Sequence, residues 1–158
     1  MPDRVIFLDI DGPMIPYTSF LFNAHASWEQ RLDDRCIRVL RLILDRSGAK
    51  IVFNTTHNRM LHPEAGERGA PGLLHQFAMA GFADDIHQAN CTIYPDVDRL
   101  TAIRSWLALR PSDTVWAALD DVLIADPRAF LVDADHGIGI REYNHCAAVF
   151  GYKPFLAL

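Results

Sequence analysis

The chain has 158 residues, half of them hydrophobic and 22% charged, with a formal net charge of −5. That length suits one domain with a real core, and residues 1–158 are expected to form it. The negative balance, with no long basic block, weighs against a nucleic-acid backbone as the main partner, although a local basic pocket is compatible with it. Cys36, Cys91 and Cys146 are far apart and form no CxxC pair, so reduced thiols are expected, with Cys36 and Cys146 buried. The opening Met-Pro-Asp-Arg leads straight into a strand without the plan of a signal peptide, and no apolar run approaches the roughly 20 residues needed to span a bilayer. A soluble, cytoplasmic protein with no membrane partner is the expectation.

Residues 4–9, "RVIFLD", read as a buried strand that ends on a carboxylate. The proline- and aromatic-rich segment 13–27 has no clear period and reads as a structured loop. A long helix is predicted over 28–47, where Leu32, Cys36, Val39, Leu40 and Ile43 recur at helical spacing and Gly48 sits at the C-cap position. Residues 50–53, "KIVF", form a second strand that runs into the polar "NTTHNR". A Gly- and Pro-rich loop is predicted at 60–72 and a weaker helix at 73–80. A clearer helix begins after Asp98, its N-cap, with Leu100, Ile103 and Leu107 on one face and Pro111 bounding its end. Then "TVWAAL" and "AFLV" read as strands ending at Asp120-Asp121 and at Asp133, and a last helix is predicted at 142–150. This order indicates an α/β fold, a Rossmann-like three-layer sandwich on a mostly parallel sheet.

Ligands of open α/β sheets bind beyond the carboxyl ends of the strands. The first strand ends in Asp9 and Asp11, the second in Asn54, Thr55 and Thr56, and a later one in Asp120 and Asp121. Four carboxylates brought to one crevice repel one another unless a cation neutralises them, and hard oxygen ligands suit Mg²⁺. Such a crevice, with hydroxyls and a cationic side chain, suits a phosphoryl group. The plainer alternative at each place is a solvated polar turn. No HxH or HxxxH pattern supports zinc, and neither GxxxxGK[ST] nor GxGxxG is present.

The pattern resembles the haloacid dehalogenase-like (HAD) superfamily of phosphohydrolases. An apolar strand followed by Asp-x-Asp-Gly is matched by "VIFLDIDG", a Thr or Ser ending the next strand by "IVFNT", and an acidic pair after a later strand by "WAALDD". The length, the "DIDG" start and "RLTAIRSWL" before "ALDD" are most similar to small, nearly capless members found in RNA-repair polypeptides. The resemblance implies that Asp9 is a nucleophile forming an aspartyl-phosphate and Asp11 its acid–base partner. It implies phosphate contacts from Thr55 and Thr56, and Mg²⁺ bound by Asp9, by Asp11 through its carbonyl, and by Asp120 and Asp121, one of these two acting directly. Two features depart from the pattern. The usual lysine ahead of the acidic pair is absent, since Lys50 and Lys153 lie elsewhere; Arg99 stands at the matching position, with Arg104 as the other candidate. Pro13 follows the motif glycine where Thr or Val is usual.

His57, Asn58 and Arg59 follow Thr55 within reach of a leaving group, with a polar loop as the simpler reading, while Asp133 and Asp135 end another strand near the site or only shape a turn. The gaps between motifs leave no room for a large cap domain. An open crevice then favours a large phosphorylated substrate, a macromolecule or polynucleotide end. A phosphatase is the expected activity. The alternatives are a catalytically weak module that binds a phosphorylated partner and a phosphotransferase acting on an acceptor other than water.

Overall fold

A computed structural model describes residues 1–22, 32–58 and 70–155. Five strands, β1 (Arg4–Leu8), β2 (Lys50–Phe53), β3 (Ile86–Cys91), β4 (Val115–Asp120) and β5 (Ala129–Leu131), form one sheet in the order β3-β2-β1-β4-β5. Every pairing is parallel. The helices are α1 (Tyr17–Phe22), α2 (Asp34–Ser47), α3 (Ala70–Met79), α4 (Arg99–Leu107) and α5 (Ile140–Phe150).

Between their polar ends the central strands are apolar because both faces of the sheet are covered. Ile6, Leu8, Ile51, Phe53, Ala117 and Leu119 point into one core with Cys36, Leu40 and Ile43 of α2, Leu73 and Phe77 of α3, and Cys146 and Phe150 of α5. Val5, Phe7, Val52, Trp116 and Ala118 point into the other with Ile103 and Trp106 of α4. Phe7 meets both Trp106 and Trp116 edge-on, at centroid distances of 5.4 and 5.7 Å. The fold is thus the expected three-layer Rossmann-like sandwich, and no cap domain stands among the described residues. Cys36 and Cys146 are buried, Cys91 is half-buried, and all three are free. No helix of the described residues is long and apolar enough to cross a membrane.

Several boundaries differ from the sequence reading. The strand β3 is an addition: "IHQANC" is half-buried along most of its length and pairs only with β2, so it carries no apolar run to read. The long helix starts at Asp34, because the Asp33 carboxylate caps it by accepting from the N–H groups of Arg35 and Cys36. Leu32 lies before that cap, and 28–31 fall outside the described residues. The predicted loop 13–27 contains α1, and α3 begins at Ala70 within the predicted loop 60–72, of which 60–69 lie outside the described residues. The last helix starts two residues early, where the Gly139 N–H donates to Glu142 Oε2 at 2.7 Å. On α4 the buried positions are Ala102, Ile103 and Trp106, with Leu100 and Leu107 at the margin of the core.

Candidate phosphoryl-transfer site

Connections run to opposite sides of β1 after β3, so the strand order reverses between β1 and β4, where a crevice opens. Backbone bonds carry the ladder one residue beyond the strands and fix what stands there. The Asp9 N–H donates to Leu119 O at 3.1 Å, Asn54 N–H to Leu8 O at 3.0 Å and Thr92 N–H to Phe53 O at 3.0 Å. Thr92, Asn54, Asp9 and Asp120 therefore stand side by side along one edge.

Asp9 is 3% exposed and Asp120 2% exposed. Burial pushes the Asp9 carboxyl up to about 7, against the opposing pull of the Arg99 charge and a hydrogen bond from Thr55. Burial and the charge of Asp9 push Asp120 up to about 8, again against Arg99. Carboxylate oxygens of Asp9, Asp120 and Asp121 all lie within 4.8 Å of one another. Asp121 packs against Gly12, whose φ is +97°, and a Cβ there would sit 2.8 Å from the Asp121 carboxylate. A glycine is required for this approach.

Arg99 is the cation of the crevice. One terminal nitrogen donates to Asp120 Oδ2 at 2.7 Å and to the Asn54 carbonyl at 2.9 Å, and lies 3.6 Å from Asp9 Oδ1. Its guanidinium lies 4.4 Å from the Tyr94 ring centroid. Arg104 is exposed, and its charge acts on Asp126 instead. Among the described residues one guanidinium stands among the three clustered carboxylates, and when all three are ionised their charge exceeds what it offsets. The donor set is all hard oxygen, so Asp9, Asp120 and Asp121 could hold a hard metal cation.

Asp11 is placed differently. Ile10 turns into the core and Asp11 turns outward, its side chain 61% exposed and 3.1 Å from His57 Nε2. Its carboxylate stands apart from the three that converge. Thr55 is fully buried and Thr56 is exposed. The Thr55 hydroxyl bonds Asp9 and accepts from the His57 N–H at 3.4 Å. Asn58 is buried; its amide donates to Thr92 O at 3.3 Å and Thr92 Oγ1 at 3.1 Å, and its Oδ1 accepts from the Thr55 N–H at 3.3 Å. Asn58 is thus a structural tie rather than a group facing a ligand, and Arg59 lies outside the described residues. Asp133 and Asp135 are exposed and shape a turn: Asp133 Oδ1 accepts from the Asp135 N–H and Oδ2 bonds His136, both at 2.9 Å.

Thr92 and Tyr94 are site-forming residues that sequence reasoning missed. Both follow β3, and without that strand nothing placed them at the crevice.

A family model described as the HAD domain in Swiss Army Knife RNA repair proteins matches residues 5–144. The protein belongs to this family, and its membership points to phosphoryl-transfer chemistry. No curated protein and no solved structure matches the chain.

Proposed function

We propose that the protein is a Mg²⁺-dependent phosphohydrolase that cleaves a phosphomonoester through an aspartyl-phosphate on Asp9. The observation that carries this reading is the convergence of Asp9, Asp120 and Asp121 beside Arg99, with Asp11 two residues on and turned toward solvent. Mg²⁺ bound by the three carboxylates, and by the Asp11 carbonyl, would offset their charge and that of the phosphoryl oxygens.

The roles follow from position. Thr55, with the Thr56 N–H, and Arg99 orient the phosphoryl group over Asp9. An Asp9 carboxylate oxygen attacks phosphorus. The bond to the leaving oxygen breaks, its electron pair stays on that oxygen, and Asp11 supplies the proton. In the second half Asp11 takes a proton from water, the water oxygen attacks phosphorus, and the bond to Asp9 breaks to release inorganic phosphate. An acid turned toward solvent suits the second role, since it must meet both a leaving group and a water.

The RNA-repair description of the family supports a phosphate on a macromolecule, first of all at a polynucleotide end, as the substrate class. A cytoplasmic setting accords with the free cysteines. Arg99 in place of lysine is the feature that favours the other reading, a module that only binds a phosphorylated partner, because its guanidinium is already committed to Asp120 and Asn54. Asp11 argues against that reading, since a binder has no use for an acid–base group. Transfer to an acceptor other than water is separated from hydrolysis by adding alcohols or nucleosides and following acceptor phosphorylation.

The test is hydrolysis of an aryl phosphate and of 3′- and 5′-phosphorylated oligonucleotides, with Mg²⁺, with EDTA, and by Asp9→Asn. Metal-dependent turnover lost in Asp9→Asn is expected. Folded protein that turns over none of them would overturn the enzyme reading.

A further inference from the structure

The turn after β2 is tied down through Asn54, Thr55 and Asn58. Asn58 N–H donates to the Thr55 carbonyl at 3.0 Å, and the Asn58 side chain reaches both the Thr55 N–H and Thr92. The Thr92 hydroxyl in turn donates to Asn54 Oδ1 at 2.7 Å. This network is buried and joins the ends of β2 and β3, so the residue at the tip of the turn has a fixed backbone position. That residue is His57. Its side chain, 26% exposed, meets Asp11 Oδ2 at 3.1 Å across the crevice mouth.

An exposed pair of this kind contributes little to folding, typically about 0–1 kcal/mol. Its consequence lies in geometry. Asp11 follows a strand end by three residues, and an aspartate side chain that is 61% exposed has in general several staggered rotamers. A donor anchored through the Asn58 network selects one of them. We propose that His57 is the positioning residue of Asp11: it holds the acid–base carboxylate over the crevice, where the leaving oxygen departs. The inference rests on the roles given above to Asp9 and Asp11 and adds the group that makes the second role effective. His57 itself acts through Asp11 and touches neither phosphorus nor the leaving oxygen.

The role has a signature that a merely structural contact lacks. Proton delivery matters most when the leaving group is a poor one, and general acid–base catalysis supplies about 10²–10⁴-fold. His57→Ala is therefore expected to lower kcat about tenfold on an alkyl phosphomonoester and less than about threefold on p-nitrophenyl phosphate, with KM nearly unchanged on both. His57→Gln, which can still donate to Asp11, should recover part of the loss on the alkyl ester. In the double variant with Asp11→Asn, the His57→Ala change should cost almost nothing further. Thermal unfolding of each variant confirms that the fold is intact.

Two failures are distinct. Asp9-dependent turnover with equal losses on both esters, or with additive effects in the double variant, would overturn the role of His57 alone. Wild-type protein with no Asp9-dependent turnover on either ester would overturn the reading of Asp9, and the positioning role with it.

Discussion

Two strand ends in this chain look nearly alike and do opposite things. "FLDIDG" closes β1 and "LVDADHG" closes β5, each an apolar run ended by Asp-x-Asp, with a glycine directly after it in the first and one residue later in the second. After β1 the first acid, Asp9, is 3% exposed, and burial pushes its carboxyl up to about 7. After β5 the first acid, Asp133, is exposed, and hydrogen bonds from His136 and from the Asp135 N–H hold its carboxyl below the usual range. The difference is place in the sheet. β1 has a strand on each side and lies where the order reverses, whereas β5 is an edge. A similar local pattern becomes a buried carboxylate cluster in the centre and an exposed turn at the rim.

The rim turn nonetheless serves the centre. Its Ile138 N–H donates to Pro13 O at 3.0 Å, and Tyr17 N–H donates to Ala134 O at 2.9 Å, so it clamps the loop that carries Asp11 and Gly12. Gly137 has φ +72°, and a Cβ there would lie 2.6 Å from Cys36 Sγ and 2.8 Å from Pro13 O. In the proposed mechanism one acid pair carries the chemistry, while the turn of the other ties down the loop.

The largest expected effect breaks this contrast at its reactive end: Asp9→Asn should lower kcat at least about 10³-fold, read by steady-state phosphate release. Arg99→Ala should follow. It leaves Asp9 and Asp120 buried without their cation, and should cost about 3–5 kcal/mol in urea unfolding at pH 8 without metal. The cost should shrink at pH 6, where both acids can take up protons. An unchanged urea midpoint at pH 8 would show that Arg99 does not hold the acids. Gly137→Ala should destabilise by about 1–3 kcal/mol, because neither the backbone angle nor the Pro13 carbonyl can yield. A midpoint equal to that of the parent would show that the rim turn is not a clamp.

The buried acids also set a pH dependence. Asp9 and Asp120 titrate in the folded chain at about 7 and about 8, above their ordinary value of 3.8, so the folded state binds more protons than the unfolded one between those limits. Stability of the metal-free protein should therefore fall as pH rises from about 4 to about 8, then level. Binding of Mg²⁺, which needs ionised carboxylates, should strengthen over the same window. Urea midpoints at pH 5 and pH 8, in EDTA and in Mg²⁺, check both statements; Asp9→Asn should flatten the metal-free slope. The smallest effect belongs to the rim: Asp133→Asn should leave kcat within about twofold, since its carboxylate makes only turn contacts.

How far the sequence could be read follows from the same contrast. The runs "VIFL", "KIVF" and "VWAAL" belong to strands buried on both faces, and each ends abruptly in polar residues, so their ends and the carboxylates that converge there were legible. Asp98 as N-cap of α4 was legible too, and with it the place of Arg99 at the crevice. Polar, half-buried β3 gave no such signal, which hid Thr92 and Tyr94. Locally, Asp9 and Asp133 differ in little more than the place of the glycine, which follows Asp11 directly but follows Asp135 only after His136. Their difference arises from which strands lie beside them, and so does the pairing of His57 with Asp11 across 46 positions of chain.

The most direct test of the nucleophile is to quench the protein during Mg²⁺-supported turnover of a phosphomonoester and locate the phosphoryl group by mass spectrometry of its peptides. The account predicts an acid-stable, base-labile adduct on Asp9 that is absent in EDTA and in Asp9→Asn. An adduct on another residue, or full turnover by Asp9→Asn, would contradict it.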